Sequence, residues 1–287
     1  MMCLYICQFN YNQHIMKFYF VITALLFFAS CNNSGDAPAG LPENDKPLTG
    51  IAAPQNLPIN IIGIYPHDTS AYTQGLEIYN GKLYESTGDY QNSSLRITDI
   101  KTGQVVKKHA MGSSEIFGEG ITILNNKIYQ LTWRNHLVNV YDIDNIDKPV
   151  KTFNWPYEGW GITHNDTDLI ISDGSANLFF VNPEDFRIKS TKQVTDNIGS
   201  VTGINELEYF DGYVFANVYG RDIILKVNPA NGHVAGIINL PKLIQQYAKD
   251  FSPDDNEVLN GIAWDSAAKK MYITGKRWPK MFEITFN

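Results

Sequence analysis

The sequence predicts an all-β protein: a five-bladed β-propeller with four-stranded antiparallel blades, its last blade closed by an N-terminal strand. Three observations carry that expectation. A strand-turn-strand pattern recurs five times, with first strands opening at Gln74, Glu119, Trp160, Asn205 and Asn260, spaced 45, 41, 45 and 55 residues apart. Strand-built repeats of that size are propeller blades. Each first strand runs into a polar hairpin turn: Asn80-Gly81, Asn125-Asn126, Asn165-Asp166, Asp211-Gly212 and Asp265-Ser266. Two more strand-like runs follow the hairpin in the first four repeats, but only one, Met281 to Phe286, follows it in the fifth.

Taken in order, the first hairpin pairs Gln74-Gly75-Leu76 with Leu83-Tyr84-Glu85, and its outer strands are Ser94 to Asp99 and Gln104 to Lys108. The second pairs Glu119-Gly120-Ile121 with Ile128-Tyr129-Gln130, followed by Leu137 to Asp142 and Val150 to Phe153. The third pairs Trp160-Gly161-Ile162 with Leu169-Ile170-Ile171, followed by Leu178 to Asn182 and Arg187 to Gln193. The fourth pairs Asn205-Glu206-Leu207 with Val214-Phe215-Ala216, followed by Ile223 to Asn228 and Val234 to Leu240. The fifth pairs Asn260-Gly261-Ile262 with Met271-Tyr272-Ile273. A ring must close or leave an exposed edge, so Ile59 to Tyr65 is expected to supply the missing outermost strand. Leu243, Ile244 and Tyr247 fall at helical spacing and predict one helix, Pro241 to Asp250. It lies in the long connection before Asn260, where the alternatives are a functional lid or a surface decoration.

Ahead of the propeller the composition changes. Residues 1–15 read as a start-site extension, because Met16-Lys17 already opens a basic n-region. Phe18 to Phe28 forms an apolar stretch too short to span a bilayer comfortably, and Ala29-Ser30-Cys31 follows. Residues 16–30 thus read as a signal peptide that resembles the lipobox of bacterial lipoproteins, with Phe28 where Leu is usual. In that reading Cys31 is lipidated, residues 31–53 are a flexible tether rich in Asn, Ser, Gly, Asp and Pro, and the propeller occupies 54–287. The expected location is exported and membrane-anchored, periplasmic or at the cell surface; a freely secreted protein is the alternative.

Composition narrows the chemistry. Of 287 residues 44% are apolar and 18% charged, enough for one large core. The net charge of -7, without a long run of either sign, gives no footprint for nucleic acid. Cys3, Cys7 and Cys31 all precede the propeller, so thiol chemistry, disulfides and cysteine metal sites are excluded there. The six histidines are not paired at metal-ligand spacing, and no HExxH, GxSxG or P-loop is present. His67 reads as a structural hydrogen-bonding residue. The closed ring needs no partner, so a monomer is expected.

Equivalent positions in a propeller lie at one height around one axis. The first column holds Gln74, Glu119, Trp160, Asn205 and Asn260; a second, 14 residues on in four repeats and 16 in the fifth, holds Gly88, Trp133, Gly174, Tyr219 and Lys276. Two neighbouring columns would form the mouth of one pocket. Glu119 is then either an acid/base group, its pKa raised by aromatic neighbours, or an axial salt bridge to Lys276. Trp133, Trp160 and Tyr219 form either an apolar cup for a small ligand or a channel plug. Gln74, Asn205 and Asn260 could hold an oxyanion, ligate Ca²⁺ together with Glu119, or satisfy buried strand ends.

Ordered motifs run from about residue 58 onward: Tyr65-Pro66-His67-Asp68, Tyr72-Thr73-Gln74-Gly75-Leu76, Glu85-Ser86-Thr87-Gly88, Ser93-Ser94-Leu95-Arg96, Phe117-Gly118-Glu119-Gly120, Leu131-Thr132-Trp133 and Gly159-Trp160-Gly161. They continue with Ser172-Asp173-Gly174, Asn205-Glu206-Leu207-Glu208, Ala216-Asn217-Val218, Leu259-Asn260-Gly261-Ile262 and Thr274-Gly275-Lys276. This series resembles the plant and bacterial type of glutaminyl-peptide cyclotransferase. The resemblance implies a five-bladed propeller that converts N-terminal glutamine of peptides or proteins to pyroglutamate with release of ammonia, without a catalytic zinc or another cofactor. It implies Glu119 as acid/base, Gln74, Asn205 and Lys276 as polar pocket residues, and Phe117, Trp133 and Trp160 as the aromatic wall. Tyr219 stands where Trp is usual and completes that wall; Tyr72 stands where Phe is usual. The competing classes are a calcium-dependent, lactonase-like propeller hydrolase and a non-catalytic peptide-binding lipoprotein.

Overall fold

A computed structural model describes residues 49–111 and 113–286. The signal peptide, the lipidation site Cys31 and most of the tether lie outside the described residues. Five sheets follow one another along the chain. Their strands, from the innermost outward, are Thr73–Tyr79, Lys82–Thr87, Ser94–Thr98 and Val105–Ala110 in blade 1. Blade 2 has Gly118–Leu124, Lys127–Thr132, Leu137–Asp142 and Lys151–Asn154; blade 3 has Ile162–His164, Leu169–Ser172, Asn177–Val181 and Ile188–Gln193. Blade 4 has Ile204–Phe210, Tyr213–Val218, Ile223–Val227 and Val234–Asn239, with Gln55–Asn56 added in parallel at its rim. Blade 5 has Leu259–Asp265, Lys270–Gly275, Lys280–Phe286 and, outermost, Ile59–Pro66.

The expected closure is therefore present. Ile59–Pro66 pairs antiparallel with Lys280–Phe286, from Ile59 opposite Phe286 to Pro66 opposite Lys280. Each innermost strand packs on the next, and the fifth packs on the first. The hairpin turns follow from local chemistry. Asn80-Gly81, Asn125-Asn126 and Asp211-Gly212 all have positive φ at both central residues, between 50° and 79°. That is the primed-turn geometry that matches strand twist, and Asn, Asp and Gly tolerate it best.

Two local expectations are corrected. The helix is one short turn, Leu243–Tyr247, not Pro241 to Asp250. Lys242 precedes it in a left-handed conformation without a side-chain cap, and only Leu243 and Ile244 bury, on the core between blades 4 and 5. In blade 3 the innermost strand opens at Ile162, so Trp160 and Gly161 precede it. They are still tied to Ser172: the Trp160 and Gly161 amides donate to its carbonyl and Oγ respectively.

Near the axis the sheets come very close. The column after the first holds Gly75, Gly120, Gly161, Glu206 and Gly261, so Glu206 is its only side chain. A Cβ on Gly161 would lie 2.0 Å from the Asn205 carbonyl oxygen, which is why that contact requires glycine. Glu206 Oε1 accepts the Leu76 amide at 3.1 Å and Oε2 accepts the Ile262 amide at 2.8 Å. One carboxyl from blade 4 thus joins the innermost strands of blades 1 and 5. Farther along those strands, Glu208 accepts the Trp264 amide, and Glu77 accepts the Thr122 hydroxyl.

Candidate active site

Four of the five first-column residues share a backbone device. Pairing of the innermost strand with its neighbour slips between Thr73 and Gly75, Gly118 and Ile121, Ile204 and Leu207, and Leu259 and Ile262. Each irregularity spans a first-column residue. Bulges of this kind re-aim side chains and are common beside active sites. Here they sit where Gln74, Glu119, Asn205 and Asn260 leave the regular alternation.

One cavity of about 390 Å³ opens on this end of the ring. Tyr72, Gln74, Phe117, Glu119, Trp133, Trp160, Asn205, Tyr219, Asn256 and Lys276 line it. All eight pocket residues expected from the sequence are therefore brought together. Two glycines of the second column make room for the rings: a Cβ on Gly88 would strike Phe117 at 2.1 Å, and one on Gly174 would strike Trp160 at 2.6 Å. Phe117 meets Trp133 edge-on at 5.6 Å, and Trp160 meets Tyr219 edge-on at 5.7 Å. The aromatics stand around the cavity as a wall, leaving its centre open.

The floor is polar and buried. Asn260 is fully buried and does not line the cavity; its Nδ2 donates to the Thr73 carbonyl and to Gln74 Oε1. Gln74 Nε2 in turn donates to Glu119 Oε1 at 3.1 Å. These carboxamides form a relay that ends on Glu119. Asn205 is also buried, and its Oδ1 has no protein partner among the described residues. A buried acceptor left unpaired costs stability, and Asn205 is one of the residues that line the cavity.

Burial pushes the Glu119 carboxyl well above the usual carboxylate range, Lys276 opposes this, and Glu158 adds to it. Burial also pulls the Lys276 ammonium down to about 8, with Glu119 opposing. Among the described residues the two form no direct ion pair. Instead Lys276 Nζ stands 4.8 Å from the Tyr72 ring centre and 5.0 Å from that of Tyr219. A carboxyl raised by burial and an ammonium lowered by it share a largely apolar chamber.

Two contributors escaped the sequence reading. Asn256, from the long connection before blade 5, stands at the cavity rim. Glu158 lies behind the wall: one oxygen accepts the indole N–H of Trp133 at 2.7 Å and that of Trp160 at 3.1 Å. Its other oxygen accepts Arg134 Nε at 2.8 Å, and the Arg134 guanidinium covers the Trp133 ring at 3.9 Å. One carboxylate thereby fixes two wall rings. His67 lies elsewhere, buried between Glu85 and the Trp278 carbonyl.

Comparison with known proteins is consistent along most of the chain. The family model described as glutamine cyclotransferase matches residues 34–286. A glutaminyl-peptide cyclotransferase of Arabidopsis thaliana is 38% identical over 229 residues, which are 79% of this chain and 70% of the relative. The crystal structure of Myxococcus xanthus glutaminyl cyclase is similar with a TM-score of 0.75 and 32% identity, covering 82% of this chain and 98% of that one.

Proposed function

Because the chain belongs to the glutamine cyclotransferase family, we propose that its cavity turns the N-terminal glutamine of peptides into pyroglutamate by the chemistry of its own side chains. The free α-amine attacks the γ-carboxamide carbon of the same residue. A C–N bond forms, the carboxamide C–N bond breaks, and ammonia leaves. Ring closure is intramolecular, so the chain itself already holds the reactants together.

Three tasks remain for the protein. The amine must shed a proton, the tetrahedral oxyanion must be stabilised, and the leaving nitrogen must be protonated. Glu119 takes the proton from the attacking amine and returns it to the leaving nitrogen. Burial raises its pKa above the usual carboxylate range, which makes it a better base than an ordinary carboxylate while leaving it able to return the proton. Lys276 and the amides of Gln74 and Asn205 are the donors for the oxyanion. The wall of Phe117, Trp133, Trp160 and Tyr219 grips the glutamine side chain and excludes water, which favours cyclisation over hydrolysis to glutamate. The observation that carries this reading is the buried Glu119, held by Gln74 on the floor of an aromatic-walled cavity.

The test is ammonia release from a Gln-initiated dipeptide. Wild-type release is expected to persist in EDTA. Glu119→Gln is expected to lower kcat by at least about 100-fold, the lower end of general acid–base contributions, while the protein melts normally. Retention of most activity by that variant would remove Glu119 from the mechanism.

We further propose that the chain is an exported, monomeric lipoprotein held at a membrane through Cys31, periplasmic or at the cell surface. The basic, apolar and small-residue segments before Cys31 support this. Cys31→Ala is expected to move the protein from the membrane to the soluble fraction; an unchanged distribution contradicts the anchor.

A further inference from the structure

We infer that Asn256, held by the hydroxyls of Tyr72 and Tyr219, binds the backbone carbonyl of the reacting glutamine, in the peptide bond that joins it to the next residue. This rests on the cyclotransferase reading of the cavity and names the part of the substrate that reading leaves open.

The geometry is a clasp. Tyr219 donates its hydroxyl to Asn256 Oδ1 at 2.9 Å, and Tyr72 donates to the Asn256 backbone carbonyl at 3.2 Å. The two rings come from the blades on either side of blade 5: Tyr219 follows the second strand of blade 4, and Tyr72 precedes the first strand of blade 1. They are also the two positions at which this sequence departs from its family resemblance, and both carry a phenolic hydroxyl. Asn256 sits in a turn between the short helix and the first strand of blade 5, and its neighbours are fastened. The Trp278 indole donates to the Glu257 carbonyl at 2.8 Å, and the Lys276 amide donates to the Val258 carbonyl at 2.9 Å. The Asp254 amide donates to the Glu257 carboxylate at 3.0 Å. The segment is thus a fixed part of the mouth.

The polarity of the clasp identifies what it can hold. With Oδ1 engaged by Tyr219, Asn256 retains Nδ2 as a donor, and no acceptor among the described residues takes it. Gln74, Glu119 and Asn205 lie buried on the floor, whereas Asn256 is exposed on the rim. A glutamine whose carboxamide reaches the floor must trail its own carbonyl at that rim. That carbonyl is neutral in a peptide, and a neutral amide N–H is its natural donor. Because the donor is already ordered by two tyrosines, little entropy is lost when it binds.

The experiment compares wild type, Tyr72→Phe/Tyr219→Phe, Asn256→Ala and the triple variant. KM and kcat are measured for a Gln-initiated dipeptide amide. Kd for pyroglutamyl-alaninamide, an unreactive product that keeps the same carbonyl, is read from tryptophan fluorescence. Removing either side of the clasp is expected to raise KM and Kd about three- to tenfold, the worth of one hydrogen bond, with kcat changed by less than about twofold. The triple variant is expected to be no worse than Asn256→Ala, since all three substitutions break one device. Unchanged Kd in Asn256→Ala overturns the proposal, as does multiplication of the two effects in the triple variant. A wild type that binds the product but releases no ammonia sinks the cyclotransferase reading and leaves the clasp to be judged by Kd. A wild type that binds neither peptide overturns both.

Discussion

At the scale of single residues, Glu119 and Lys276 set each other's charge. Burial raises the carboxyl, and the ammonium holds part of that rise back. Replacing Lys276 with Met removes the opposing charge, so the carboxyl climbs further. If Glu119 must be ionised to accept the amine proton, the ascending limb of kcat/KM against pH moves to higher pH in Lys276→Met. The descending limb also changes, because the group that loses its proton near pH 8 is gone. An ascending limb that stays in place would show that it reports the substrate amine alone. The eight residues of the expected pocket were legible because column logic and ordered motifs both reach them. Asn256 and Glu158 were not. Asn256 sits in a connection with no repeat partner, so no column points to it. Glu158 acts from behind the rings through their indole N–H groups, a contact that only the folded chain brings about.

Among the elements, the strands were legible wherever alternation and turn chemistry agreed. Asn80-Gly81 and Asp211-Gly212 announce their turns directly, and the spare strand Ile59–Pro66 could be placed because the fifth repeat lacked one. The helix was overdrawn because Leu243, Ile244 and Tyr247 have helical spacing, but Tyr247 stays 42% exposed and merely meets Phe282 edge-on. Bulges were invisible, since an extra residue breaks the alternation without a sequence marker. The glycines that begin the inner strands were visible as letters but not as a contact. Their packing gives a sharp prediction. In Gly161→Ala the new methyl would lie 2.0 Å from the Asn205 carbonyl oxygen and 2.9 Å from Glu206 Cα, both backbone. Neither can rotate away, so the strands must part. The expected loss is at least about 3 kcal/mol, the top of the ordinary overpacking range, read as a lower denaturant midpoint. Gly199→Ala, with nothing within 4 Å, is the control and is expected to change stability by less than about 0.5 kcal/mol.

For the whole molecule, ring closure places ionisable groups where water does not reach, and stability must follow their titration. Burial pushes Glu77, Glu206 and Glu208 above the usual carboxylate range. Thr122 and the Ile123 amide oppose this at Glu77, and the Leu76 and Ile262 amides oppose it at Glu206. At Glu208 the charges of Glu77 and Glu206 add to it. The folded protein therefore keeps protons that the unfolded chain has already released, and stability falls as pH rises through that interval. His67 works in the same direction. Burial alone would lower its pKa, but Glu85 lifts it above its ordinary value. Its contribution is complete below the unfolded histidine value and is lost as pH rises through the folded one. Glu85 opposes on the acid side: burial would raise it, but His67 holds it below the usual range. That contribution is present above the unfolded carboxyl value and is lost as pH falls through the folded one. Maximum stability is thus expected on the mildly acidic side of neutrality, with melting temperature declining toward alkaline pH. Glu208→Gln keeps an acceptor for the Trp264 amide and removes a proton-binding group, so it is expected to flatten that decline. Glu206→Gln is different. Both Glu206 oxygens accept backbone amides, and the Gln nitrogen cannot replace one of them. It is expected to cost about 1–3 kcal/mol at acid pH, the penalty for a stranded buried donor, and less as pH rises, because the variant also lacks that titrating carboxyl. Parallel melting curves for wild type and Glu208→Gln across pH 5 to 9 would show that the axial carboxyls do not govern the pH dependence of the ring.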